Sequence, residues 1–386
     1  MNKVEFSIGT YELHGDPNFN YQLNRAVMLS NGSLRDISEA SGRITDRQSF
    51  INEMRLLAEK AIHENRERNA LAYIRTAEFF MKESDPDKEK LYREYKSLFY
   101  GLNDAAIKEN RLLRLDIPFE DGSLPVIHTE PEQKSKGAVI LHGGFDSYME
   151  EFFPALIYIK QQGYSVYLFE GPGQGECIHK HHMPFTYDWH KPVGALLDYF
   201  DLKDTTLIGI SLGALLALRA AVDGRIARIV AWSVMSDFFE VLLADRPAPL
   251  RKMIVKLLDI RAESLVDGFV GRVMRKEPRV AWGIQHGMHV FEKKTPFEFL
   301  TEARNYRLQD ISSHITQDVL LLGAAEDHFI PLQMYKAEID ELSNVRSLTF
   351  RIFTRQEHAE NHCNIGNLCL ALHTITDWID SIGGKE

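Results

Sequence analysis

Apolar positions in the first 110 residues recur every three to four places, the period of an amphipathic helix. Phe50, Met54, Leu57, Ala58 and Ala61 share one face, and Thr45 with Gln48 supplies a capping box ahead of them. Leu71, Ile74 and Ala77 line a second helix over about 70–81. A third opens at Asp85-Pro86, carries Leu91, Tyr95, Leu98 and Phe99 on one side, and stops at Gly101. The aromatic stripe Phe79, Phe80, Tyr92, Tyr95, Phe99 and Tyr100 reads as packing between these helices.

The period changes near residue 111. Residues 111–119 alternate apolar and polar, Asp121-Gly122 makes a turn, and 124–128 resumes, which predicts a hairpin with Pro125 on an edge strand. Short apolar runs then alternate with helical stretches. Strands are predicted at 138–141, 164–169, 206–208, 226–232, 319–322 and 348–353, and helices at 152–162, 189–200 and 364–382. The alternation predicts an α/β fold with a mainly parallel sheet and helices on both faces. A helix-like stretch at about 237–309 interrupts it. The expected organisation is an N-terminal helical domain over 1–110 and an α/β domain over 111–386, with a helical cap insertion at about 237–309.

Composition narrows the partners. The chain has 386 residues, 44% of them apolar, enough for a full-sized core, and a net charge of −10 that disfavours nucleic acid or an anionic membrane. Its three cysteines, Cys177, Cys363 and Cys369, form no C-x-x-C pair and suit a reducing compartment. The longest apolar run, 207–218, is too short to span a bilayer, and the first residues hold no long apolar stretch. A cytoplasmic protein is therefore expected.

The candidate chemistry starts at Gly209-Ile210-Ser211-Leu212-Gly213, between an apolar strand and an apolar helix. Strand, G-x-S-x-G and helix together are the context of a nucleophile elbow, in which a serine oxygen stands exposed above a sheet. A serine hydroxyl needs a base, an acid to orient that base, and donors for the oxyanion. Loops at the strand ends offer each. His142-Gly143-Gly144-Phe145-Asp146-Ser147 is the oxyanion loop, with the N–H of Leu212 and that of Gly144 or Phe145 as donors. Asp327 is the leading acid, with Glu326 and Asp237 as competitors. His362 is the leading base, with His358 as its rival. The order Ser, Asp, His is that of α/β-hydrolases. Asp146 and Met235 fall near strand ends and are expected to contact substrate. Phe238, Phe239, Trp282, Met288, Phe291 and Phe297 could form an apolar cap. His179, His181 and His182 lie around Lys180 without a carboxylate or cysteine at zinc spacing, so a solvated loop is expected there and no metal or other cofactor.

Phe169-Glu170-Gly171-Pro172-Gly173-Gln174-Gly175-Glu176 resembles the F-[DE]-G-P-G-Q-G-E signature of one branch of the α/β-hydrolase superfamily. Asp188-Trp189, the His-Gly-Gly-Phe-Asp-Ser loop, Gly-Ile-Ser-Leu-Gly and the Ala-Glu-Asn-His-Cys-Asn tail are similar too. The branch includes 2,6-dihydroxypseudooxynicotine hydrolase, fungal enzymes that shorten polyketide chains, and dipeptidyl aminopeptidase or acylaminoacyl peptidase-like proteins. The resemblance spans about 110–386 and the N-terminal helices, and implies Ser211 as nucleophile, Asp327 as acid and His362 as base. That branch often has glycine where His358 stands, and an acidic residue where His190 follows the Asp-Trp pair. The implied activity is serine hydrolysis of a carbonyl-containing small molecule or short peptide, including carbon–carbon cleavage, with a homodimer implied as well. A broad carboxylesterase and a catalytically silent regulatory binding protein are the alternatives.

Overall fold

A computed structural model describes residues 4–383. Six helices come first: α1 (Pro17–Ser30), α2 (Leu34–Ser41), α3 (Arg47–His63), α4 (Glu67–Phe80), α5 (Pro86–Leu102) and α6 (Asp104–Lys108). The third is capped one residue later than the sequence suggests. Asp46 accepts from Ser49 N–H while the Ser49 hydroxyl serves the Asp46 backbone, so the box is Asp46/Ser49 and not Thr45/Gln48. An ionised carboxylate is a stronger acceptor than a threonine hydroxyl and favours the positive end of the helix dipole. At α5 the expectation holds: Asp85 caps and Pro86 opens the first turn.

An eight-stranded sheet follows, in the order β1-β2-β4-β3-β5-β6-β7-β8. The strands are β1 (Leu113–Phe119), β2 (Gly122–Thr129), β3 (Ala138–His142), β4 (Ser165–Phe169), β5 (Thr205–Ile210), β6 (Ile226–Trp232), β7 (Asp318–Ala324) and β8 (Ser347–Phe353). Among β3 to β8 every mutual pairing is parallel, and the β1–β2 antiparallel hairpin joins them through an antiparallel β2–β4 pairing. Pro125 does not lie on an edge strand, because β2 sits between β1 and β4. It is tolerated because its missing donor falls where that ladder ends. The last paired residue is Val126, and beyond it Glu170 N–H donates to Pro125 O.

Alternate residues of the inner strands feed two apolar layers, as period-2 geometry requires. Val139, Leu141, Ile208, Val230 and Leu320 face α7 (Phe153–Gln161), the closing helix α17 (Leu368–Gly383) and the N-terminal helices. Ile140, Leu207, Ile229, Val319 and Leu321 face the opposite layer. That layer holds α8 (Gly175–His179), α9 (His190–Tyr199), α10 (Leu212–Arg219) and α16 (Leu332–Glu341). Between β6 and β7 run five helices: α11 (Phe238–Leu242), α12 (Ala248–Asp259), α13 (Glu263–Lys276), α14 (Pro278–Val290) and α15 (Pro296–Ala303). The loops after β3, β5, β6, β7 and β8 all emerge at the same end of the sheet, which is where the candidate side chains gather.

Among the described residues no helix is long and apolar enough to cross a membrane, and no group of three His, Cys, Asp or Glu side chains is arranged to hold a metal ion. The histidine-rich segment is not a solvated loop throughout. His179 ends α8 and stacks on Tyr92 with ring centroids 4.2 Å apart, and His181 pairs with Ser123 Oγ at 3.0 Å.

Candidate active site

Ser211 sits between β5 and α10 at φ 61° and ψ −126°, a conformation that a non-glycine residue adopts only when its surroundings enforce it. They do so here. Ser211 N–H donates to Trp232 O at 2.8 Å, fastening the elbow to β6. The flanking glycines are dictated by contact: a Cβ at Gly209 would lie 2.0 Å from Gly213 O, and one at Gly213 would lie 2.2 Å from Gly143 O.

His362 Nε2 lies 2.8 Å from Ser211 Oγ, and His362 Nδ1 lies 2.7 Å from Asp327 Oδ2. The other Asp327 oxygen accepts from Phe329 N–H at 2.9 Å and Ile330 N–H at 3.0 Å. A carboxylate accepts only, so Nδ1 carries the proton and Nε2 is free to accept from the serine hydroxyl. Burial opposes charge on both groups. The imidazole and the two backbone donors nevertheless outweigh it and hold the Asp327 carboxyl below the usual range. Burial likewise disfavours the His362 imidazolium, but Asp327 first and Cys363 next hold its pKa well above 6.5. The histidine turn is anchored from behind, where Cys363 N–H donates to Ser233 Oγ and Trp232 Nε1 donates to Asn364 Oδ1.

The rival residues point elsewhere. Glu326 is exposed and paired with Arg355. Asp237 caps α11 through Glu240 N–H. His358 is exposed at φ 55°, a left-handed position that suits the glycine common in the resembling branch. Of the two alternative oxyanion donors, Gly144 N–H is taken by Ser147 Oγ at 3.1 Å. The N–H groups of Phe145 and Leu212 have no acceptor among the described residues.

Ser211 and His362 open into a cavity of about 190 Å³. Phe145, Asp146, Leu212 and Met235 line it. Phe238 and Trp282 of the inserted helices do as well, whereas Phe239, Met288, Phe291 and Phe297 pack away from it. A further wall is α1, which contributes Tyr21, Gln22, Arg25 and Leu29, none of them singled out from the sequence. Its residues 21–29 are buried on every side, so no amphipathic stripe marks a site-facing surface. The only sequence hint is a short helix carrying Asn, Gln and Arg that must be satisfied in the interior. Arg25 does this by bridging Asp146 Oδ1 at 3.2 Å and Glu151 Oε2 at 2.9 Å. Burial raises the cost of the Asp146 charge, but Arg25, then His286 and Arg75, hold its carboxyl below the ordinary value.

This fold, with a strained serine, an imidazole and a buried carboxylate in one hydrogen-bonded line, defines the class. The alpha/beta hydrolase family matches over residues 138–354, and the chain belongs to it. The protein is similar to hydrolase LUC6 of a Fusarium species, 26% identical over 81% of this chain and 79% of that one. It is equally similar to 20-hydroxy-prefusarin hydrolase FUS2 of Gibberella moniliformis, 26% identical over 94% and 96%. The solved structure of 2,6-dihydroxy-pseudo-oxynicotine hydrolase shares the fold at a TM-score of 0.64 and 21% identity, covering 92% of this chain and 94% of that one. AbyA5 does so at 0.66 and 19%, covering 91% and 90%.

Proposed function

We propose that the protein is a serine hydrolase acting on a small carbonyl compound with a largely apolar body. The observation that carries this reading is the line Ser211 Oγ, His362 Nε2, His362 Nδ1, Asp327 Oδ2, with contacts of 2.8 and 2.7 Å and with Ser211 and His362 lining the cavity. Ser211 attacks the carbonyl carbon while His362 takes its proton, and Asp327 stabilises the imidazolium. The oxyanion is met by the N–H groups of Leu212 and Phe145, each worth about 3–4 kcal/mol in the transition state. His362 then protonates the leaving group, and water, deprotonated by the same imidazole, releases the acyl group and restores Ser211.

The leaving group decides the reaction. Carbon–carbon cleavage, with a carbanion stabilised by a neighbouring carbonyl or ring, suits the aromatic walls Phe145, Phe238 and Trp282. An ester or a short aminoacyl amide would use the same chemistry. The α1 wall supports a role for the N-terminal helices as a roof over the site, with the inserted helices as its opposite side. The test is covalent labelling by a fluorophosphonate, followed by a panel of p-nitrophenyl esters, aminoacyl amides and β-diketones. Wild type is expected to label and Ser211→Ala is not. A folded wild type that neither labels nor turns over any of the panel refutes the reading and favours a silent binding protein.

A further inference from the structure

We propose that Gln174 is the positioning residue of the oxyanion site, fixing the direction of the Phe145 N–H through the carbonyls of Gly143 and Gly144. The inference rests on Ser211 being the nucleophile as proposed above, and it gives a task to the signature residues that the three-residue line leaves unused.

Gln174 is buried, and all of its amide is engaged. Its Oε1 accepts from Gly171 N–H at 3.0 Å, while its Nε2 donates to Gly143 O at 2.8 Å and to Gly144 O at 3.1 Å. The orientation of the amide is forced, because a flip would set an oxygen against two carbonyls and an NH₂ against an N–H. There is no cis peptide in the described chain, so in the Gly144–Phe145 peptide the carbonyl and the N–H point in opposite directions. With Gly144 O held by Gln174, the Phe145 N–H must point away from Gln174. Gly144 itself lies against the elbow: a Cβ there would be 2.9 Å from Leu212 N. The two free donors, on Phe145 and Leu212, are thereby brought to one place.

The Gly143 carbonyl has a second donor. Trp189 Nε1 lies 3.2 Å from His142 Nε2, and His142 Nδ1 lies 3.0 Å from Gly143 O. An indole N–H can only donate, so Nε2 accepts and Nδ1 carries the proton that goes to Gly143 O. Burial pushes the His142 pKa down to about 4, so the ring stays neutral and keeps this tautomer at neutral pH. Further pins are Ser147 Oγ on Gly144 N–H and His286 Nε2 on Phe145 O at 2.9 Å. In the loop 143–145 the N–H of Phe145 is left without a partner among the described residues, and it is the group the proposal turns toward the serine. Pre-set donors of this kind cost no reorganisation when charge develops.

The test is Gln174→Met, which keeps the length and removes the donor, measured as the intact chain. The readouts are kcat, KM, the melting temperature and the inhibition constant of an alkyl boronic acid that forms a tetrahedral adduct on Ser211. A single lost oxyanion donor costs about 10²–10³ in kcat, so a misdirected one is expected to cost about 10–100-fold, with KM within about twofold. Boronate affinity should fall by the same factor as kcat/KM. Trp189→Phe, which removes the donor to His142 but keeps a ring, should show the same kcat-only signature at about 3–10-fold. It decides the matter if Gln174→Met does not fold. Folded variants with unchanged kcat and boronate affinity, or with losses confined to KM or to melting temperature, overturn the proposal. Failure of the wild type to be labelled by fluorophosphonate would instead remove the reading on which it rests.

Discussion

Replacing Asp327 with asparagine should silence the enzyme without unfolding it, for a reason set by which oxygen faces which donor. One oxygen of Asp327 accepts from Phe329 and Ile330 N–H, and only the other meets His362 Nδ1. In Asp327→Asn the amide oxygen must stay on the two N–H groups, so the NH₂ turns toward Nδ1. The imidazole then accepts at Nδ1 and carries its proton on Nε2, where it donates to Ser211 Oγ and cannot take the serine proton. A wrong tautomer of this kind costs about 10⁴ in kcat, or about 5 kcal/mol of transition-state stabilisation. The charge change also moves the pH profile. Asp327 holds the His362 pKa well above 6.5, and the reaction needs the neutral ring. Wild-type activity should therefore rise with pH along a limb centred above 6.5, and the residual activity of the variant should rise along a limb shifted to lower pH. Steady-state rates from pH 5 to 9 on an activated ester, beside a melting curve, make the measurement. A folded variant retaining more than a tenth of wild-type kcat, or an unmoved limb, would refute the reasoning.

Two further outcomes follow from the same geometry. Arg25→Met strips the half-buried Asp146 of its nearest counter-charge and removes one of the two cations on buried Glu151, leaving Arg75 at 3.1 Å. A loss of about 3 kcal/mol is expected in denaturant titration, at the low end for a broken buried pair, and an unchanged midpoint would contradict it. His358→Gly relieves a left-handed position on an exposed turn, at φ 55° and ψ 29°. It should leave kcat unchanged and raise stability by up to roughly 1 kcal/mol, and loss of activity would reopen the choice of base.

Several features were legible because their causes are local. The apolar runs at β3 to β8 and the periodic faces of α3 to α5 follow from side-chain period alone, and the tightness of the turn at 209–213 is written in its own two glycines. The candidates Ser211, Asp327 and His362 could be picked out along the chain because each follows a recognisable strand. The site wall could not be read this way. Tyr21 donates to His362 O across a separation of 341 residues, and Arg25 reaches Asp146 across 121. Neither partner shapes the other's local pattern, so α1 looks like any short helix. The same holds for the capping residue of α3, where two adjacent candidates compete and the stronger acceptor wins, and for Pro125, whose neighbour β4 is supplied by a segment some forty residues on. Sequence fixes what each segment can do by itself. Which buried charges are matched, and which N–H is left free to meet an oxyanion, is decided only when distant segments close around the serine, because those energies depend on contacts that the chain order does not contain.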